Sequence, residues 1–203
     1  MAQPALFDDD LEGPDLTIEV QRCAAGDDAR RWFHDVLSST QWSRDEITIF
    51  GRTTLVPRLS AWYGDPDALY SYSGIRLEPM SWSPVLREIR EFVQDRCGTK
   101  FNSVLVNLYR DGRDGVGWHA DDEPELGPEP TIASLSLGAS RTFQLRHRAD
   151  RSIRRSLVLH HGDLMVMAGT TQRCWVHQVP KTSLRVAPRI NLTFRRVNGP
   201  TSW

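Results

Sequence analysis

The chain has few cysteines: Cys23, Cys97 and Cys174 are three in 203 residues and lie far apart. They make neither a disulfide framework nor a zinc knuckle, so buried thiols in a reducing compartment are expected. No apolar run approaches the roughly 20 residues that span a bilayer, so no membrane partner is expected. Met1-Ala2-Gln3-Pro4 has no basic region leading into an apolar one. A secretory leader is therefore not expected, and a cytoplasmic location is. There is no glycine fingerprint for a dinucleotide and no βαβ rhythm. No internal repeat or domain boundary shows, and the length suits one domain with a proper core. A monomer is the simplest expectation.

Net charge is also nearly missing, at −1, but the balance hides an asymmetry. Residues 1–30 carry eight acidic side chains against Arg22 and Arg30. Residues 141–196 carry twelve Arg or Lys against Asp150 and Asp163. A near-neutral total can therefore conceal a basic face suited to a phosphate backbone, and equally to solvent.

Residues 1–16 are acidic, contain two prolines and read as a flexible tail with a loose anchor at Leu6-Phe7. Residues 17–203 read as a single domain. Thr17-Ile18-Glu19-Val20 suits a short strand. Asp27 or Asp28 can cap a helix whose apolar side is Trp32, Phe33, Val36 and Leu37. Glu46 to Arg52 reads as a strand entering a turn. Pro57 to Gly64 is aromatic, basic and punctuated, which predicts a partly ordered surface segment. Pro84 suits a helix start, Val85, Leu86, Ile89, Phe92 and Val93 give its stripe, and Gly98 is placed to end it.

From residue 100 the period changes to two. Strands are predicted over 101–109, 131–137, 142–145, 156–160, 164–168 and 189–195. Many short strands between Gly, Pro and Asp turns imply an antiparallel barrel or double-sheet roll, mainly β with flanking helices.

The stretch Asn107 to Glu123 runs from a strand through a glycine-rich turn to Trp118-His119-Ala120-Asp121. In extended backbone His119 and Asp121 point the same way. His177 is the best third ligand, because a neighbouring strand can return it to the same pocket. Two histidines and a carboxylate leave metal positions open, as in non-haem Fe(II) oxygenases, although zinc takes the same donors. Asp122 and Glu123 are alternative carboxylates. His34, His147, His160 and His161 read as surface or packing residues.

In 189–195, Arg189, Asn191, Thr193 and Arg195 share one face, and Ile190, Leu192 and Phe194 share the other. Asn107 and Tyr109 share a face opposite Val104, Val106 and Leu108. So polar a face near a metal suggests a bound anion. A dicarboxylate would be held by Arg189 and Tyr109 at one end and would chelate the metal at the other.

Here the sequence resembles the AlkB family of Fe(II)- and 2-oxoglutarate-dependent dioxygenases. The matching pieces are Asn107-Leu108-Tyr109, Trp118 to Glu123, Ile132 to Ala139, Arg141-Thr142-Phe143, His177, and the highly specific heptad Arg189 to Arg195. The likeness spans about residues 45 to 197 and is nearest the branch of the second and third human homologues. It implies a double-stranded β-helix, or jelly roll, with a nucleotide-recognition segment at about 45–75 and a catalytic core at about 100–197.

The resemblance further implies Fe(II) on His119, Asp121 and His177. It implies 2-oxoglutarate on Arg189, Tyr109, Asn107 and Asn191, with Arg195 near the chelating end, and O₂ as second co-substrate. Tyr72 would stack on a flipped base and Tyr70 would hydrogen-bond or gate nearby. Phe50 would be a wedge or a plain turn residue. Asp122 is the acidic candidate for sensing the positive charge of a methylated base.

The implied activity is repair of 1-methyladenine and 3-methylcytosine in DNA, single strands first, with release of formaldehyde. The alternatives are RNA or tRNA demethylation, a dioxygenase of protein or small molecules, and a non-catalytic zinc protein. Arg146, Arg148, Arg151, Arg154 and Arg155 either touch phosphates or form a solvated hairpin.

Overall fold

In the computed structural model, residues 11–44, 46–49, 52–68, 70–72 and 75–198 are described. The strands are β1 (Thr17–Gln21), β2 (Glu46–Ile49), β3 (Arg52–Leu55), β4 (Leu59–Gly64), β5 (Tyr70–Tyr72), β6 (Ile75–Leu77) and β7 (Ser103–Tyr109). They continue as β8 (Val116–His119), β9 (Ile132–Gly138), β10 (Arg141–His147), β11 (Arg154–Leu159), β12 (Leu164–Ala168), β13 (Trp175–Val179) and β14 (Arg189–Arg195). The helices are α1 (Asp28–Ser39), α2 (Pro84–Cys97) and the short α3 (Thr171–Cys174).

Six strands form one sheet in the order β1-β12-β9-β14-β7-β4, and four form a second in the order β11-β10-β13-β8. β2-β3 and β5-β6 are separate hairpins. Every pairing between these strands is antiparallel. This is the expected mainly-β jelly roll with flanking helices.

Alternation along the large sheet builds two cores. Val104, Val106, Leu108, Ala133, Leu135, Leu137, Ile190, Leu192 and Phe194 pack with Trp32 and Val36 of α1 and with Leu86, Ile89 and Val93 of α2. On the opposite face, Tyr109, Ile132, Met165 and Met167 meet Phe143, Leu145, Leu157, Trp175 and Val179 of the small sheet. The first core is closed by helices, and the second lies between the sheets.

α2 follows its sequence signals. Ser83 caps it by accepting the Leu86 N–H, Pro84 occupies the first turn, and Gly98 ends it at φ 60°. In α1, Asp27 occupies the cap position but its side chain makes no capping bond. Trp32 and Val36 carry the buried stripe, with Phe33 and Leu37 at its margin.

Three expectations need correction. Leu59–Gly64 is no loose surface segment; it pairs with β7 along its whole length. Its aromatic pair hid the strand, because both faces are covered: Tyr63 enters the helical core and Trp62 packs on the inter-sheet core. The cysteines are not fully buried: Cys23 is exposed, and Cys97 and Cys174 are partly so. Burial still pushes the Cys97 thiol up to about 11.

The acidic stretch 11–16 is seated, not loose. Leu11 and Leu16 pack on the inter-sheet core. The Trp175 indole donates to the Pro14 carbonyl at 2.9 Å, and Arg155 donates to the Glu12 carbonyl at 2.7 Å. Leu6-Phe7 lies outside the described residues.

Candidate metal and dicarboxylate site

The glycine-rich turn between β7 and β8 is pinned from several sides. A side chain at Gly115 would approach the Val179 carbonyl to 2.7 Å, and one at Gly112 would collide with the Thr182 carbonyl. Asp114 is buried and pairs with Arg110. The buried Arg141 guanidinium donates to the carbonyls of Asp111, Asp114 and Pro180. The turn therefore delivers β8 in one fixed register.

β8 pairs with β13 so that His119 stands directly opposite His177. Asp121 follows two residues beyond the end of β8. The ligand atoms of His119, Asp121 and His177 all lie within 4.8 Å of one another. His119 is the accessible member, and the other two are buried. His119 Nδ1 lies 2.8 Å from the Gly117 carbonyl. A carbonyl only accepts, so Nδ1 carries the proton and Nε2 keeps its lone pair for a metal.

The His177 ring packs against Phe143, with centroids 5.2 Å apart. Burial first, then His119 and Arg195, push His177 down to about 3, against the pull of Asp121. It is therefore neutral and available as a ligand at ordinary pH. Burial would raise the Asp121 carboxyl, but Arg195 and the two histidines hold it below the usual carboxylate range. Arg195 Nη2 donates to Asp121 Oδ1 at 2.5 Å. Two imidazoles and a fixed carboxylate suit a divalent cation with positions left open.

The same cavity is lined by Tyr109, Arg189, Asn191, Thr193 and Arg195. Arg189 is 1% exposed, and its Nη2 donates to Ser136 Oγ at 2.8 Å and Asn191 Oδ1 at 2.9 Å. Among the described residues, its Nε and Nη1, and Nε of Arg195, are buried with no well-aligned hydrogen-bond partner, and Tyr109 helps keep Arg189 charged. Burial, with Arg141 nearby, lowers Arg189 to about 10, so it stays charged at neutral pH. The guanidinium carbons of Arg189 and Arg141 stand 5.3 and 5.6 Å from the Tyr109 ring centre. A buried guanidinium with two idle donors and no carboxylate partner is strongly under-compensated. A carboxylate entering the cavity would satisfy both donors. The residues therefore fit both groups: a divalent cation on the triad and a carboxylate on Arg189.

Asn107 also faces this cavity, and its Oδ1 accepts from Arg58 Nε at 2.8 Å. Asn191 accepts from Ser134 and Arg189 and donates to Thr193. Asp122 does not line the cavity. It is half-exposed and paired with Arg148, on the face opposite to Asp121 by alternation.

The basic hairpin is partly committed as well. Arg146 stacks on Trp118 at 4.4 Å, Arg148 holds Asp122, and Arg155 binds main chain. Tyr70 and Tyr72 lie on β5 by backbone, and Phe50 lies outside the described residues.

Several cavity partners are not expected from the sequence. Arg58 lies inside the segment that the sequence predicts as surface. Ser134 and Ser136 alternate with Ala133, Leu135 and Leu137, and stand opposite Thr193 and Asn191. That period-two signal was there to be read. Gln172 accepts the Asp121 N–H, and no local pattern announces it.

A family model described as the 2OG-Fe(II) oxygenase superfamily matches residues 20–195. The human "Alpha-ketoglutarate-dependent dioxygenase alkB homolog 3" is 48% identical over 150 residues, covering 70% of this chain and 52% of that protein. The human "DNA oxidative demethylase ALKBH2" is 44% identical over 158 residues, covering 74% and 60%. The Arabidopsis thaliana protein named ALKBH2 is 37% identical over 211 residues, covering 91% and 67%. The chain thus spans a little over half the length of the first two. A solved structure, "The structure of OsALKBH1", superposes with a TM-score of 0.63 over 92% of this chain and 99% of the other, at 18% identity. That last likeness concerns the fold alone.

Proposed function

Because the chain belongs to the AlkB family within the 2OG-Fe(II) oxygenase superfamily, we propose that it is an oxidative demethylase of N-alkylated nucleic-acid bases. One observation carries this reading: a metal-ready triad and an under-compensated buried arginine share one cavity. The finer proposal is repair of 1-methyladenine and 3-methylcytosine in DNA, with single strands preferred. Bound Fe(II), 2-oxoglutarate and O₂ would supply the oxidant that hydroxylates the N-alkyl carbon, after which the adduct breaks down to formaldehyde and the restored base.

The chain's own work is positioning. His119, Asp121 and His177 hold the metal. Arg189, backed by Tyr109, takes the far carboxylate of the co-substrate in a two-pronged contact. Asn107 and Asn191 shape that end. Arg195 keeps the Asp121 carboxylate ionised and oriented. The apolar walls of Phe143, Met165 and Val179 exclude water around these charges. Tyr72 is assigned the stacking face for an extracted base, Tyr70 a gating role beside it, and Phe50 a wedge.

The test uses Fe(II)-loaded protein with 2-oxoglutarate and O₂. Its substrates are matched DNA and RNA oligonucleotides carrying 1-methyladenine or 3-methylcytosine, single-stranded and duplex. Mass spectrometry follows methyl loss, with His119→Ala as the blank. Faster loss from single-stranded DNA is expected, and none in the blank. Faster turnover of the RNA oligomers would move the substrate to RNA. Turnover of neither, with succinate formed on another substrate, would remove nucleic acid from the proposal.

A further inference from the structure

Gln172 is 1% exposed and lies in α3, five residues before His177. Its Oε1 accepts the backbone N–H of Asp121 at 3.0 Å, across 51 positions of chain. Its amide nitrogen donates to the Met167 sulfur at 3.4 Å. A thioether can only accept, so it decides which end of the amide faces which neighbour. The nitrogen turns to Met167 and the oxygen to Asp121.

Asp121 needs such a partner. β8 ends at His119, and the ladder with β13 has its last pair at His119 and His177. The ladder stops short of Asp121, and Gln172 takes its N–H instead. Without Gln172 that buried donor would be unsatisfied, and the backbone would turn to find water. The carboxylate would turn with it. A single buried amide therefore ties the segment bearing Asp121 to the segment that delivers His177.

The geometry points to Gln172 as a positioning residue for the metal ligands. It touches neither metal nor substrate and acts through the Asp121 backbone. This rests on the reading that His119, Asp121 and His177 bind a divalent cation. Thr171 is a built-in comparison: it is also 1% exposed, and its hydroxyl accepts the Thr17 N–H and donates to the Thr17 carbonyl. It anchors the same short helix to β1, away from the ligands.

The experiment titrates Co(II) anaerobically into metal-free wild type, Gln172→Met and Thr171→Val, without co-substrate. Affinity is read by calorimetry and ligand geometry by the visible Co(II) bands, with melting temperature measured alongside. Wild type is expected to bind one Co(II). Gln172→Met, which keeps the volume but replaces the amide oxygen with a weakly accepting thioether, is expected to bind about 10-fold more weakly, with shifted bands. Thr171→Val is expected to melt lower with affinity and bands unchanged.

Equal affinity and bands in wild type and Gln172→Met would overturn the inference, as would an equal loss in Thr171→Val. If Gln172→Met does not fold, Met167→Leu frees the amide to flip. A weaker affinity is then expected, and an unchanged one overturns the inference. Failure of the wild type to bind Co(II) would instead sink the metal reading, and this inference with it.

Discussion

Ile190, Leu192 and Phe194 leave β14 toward the helices, while Arg189, Asn191, Thr193 and Arg195 leave it toward the second sheet. All seven are buried. Burial alone therefore says nothing about role. The apolar face is complete: Phe194 meets Trp82 and Phe101 with ring centres 6.4 and 6.1 Å away. The polar face is incomplete, with three guanidinium nitrogens left without a hydrogen-bond partner among the described residues. One face stabilises the fold by area and dispersion. The other holds charge in a dry place, where it acts strongly on whatever enters.

The largest separation should come from truncating the apolar face. Phe194→Ala is expected to lower unfolding stability by about 3–5 kcal/mol, measured by urea denaturation. Folded protein at low temperature should still bind Co(II) as wild type does. If instead metal binding fails while stability holds, the two faces are not separable.

Arg189→Gln should do the reverse. Loss of the guanidinium is expected to cost 2-oxoglutarate binding about 2–5 kcal/mol, read by calorimetry. The ligand-free protein should melt no lower than wild type, because a poorly compensated buried charge is gone. A large fall in melting temperature would mean that Arg189 is structural.

The third effect is a slope, small over any one pH unit. In metal-free protein His177 has a folded pKa below its ordinary value near 6.5. The unfolded chain therefore binds the proton first as pH falls. Stability is full above about 6.5 and declines toward the lowered folded value, by about 1.4 kcal/mol per pH unit. Asp121 acts in the same acid direction: its contribution is present above the ordinary carboxylate value and fades as pH drops through its depressed one. His177→Gln should flatten the urea midpoint between pH 6.5 and 4, while Leu192→Val should keep the wild-type slope. Equal slopes in both variants would show that the imidazole is not the source.

β14 was legible in the sequence to the residue, because its alternation has no interruption from Arg189 to Arg195. The triad was legible because β8 and the residues just past it keep the parity that an extended chain demands. β4 was not, since Trp62 and Tyr63 fill two different cores and leave no polar face to mark a strand. Gln172 was invisible for another reason. Its partner is 51 residues away and is a backbone N–H, so neither spacing nor residue type points to it. The pairing of Arg148 with Asp122 was likewise not legible, because it joins residues 26 positions apart.

The facing of His119 and His177 across β8 and β13 has a consequence for how the chain reaches its native state. A slip of β13 by one residue would send the His177 side chain to the opposite face of the small sheet. The three donor atoms would then no longer converge. Cation binding therefore stabilises only the correctly aligned pair, because linkage favours whichever state binds the ligand. The ion would serve as a proofreader of strand alignment before any chemistry begins.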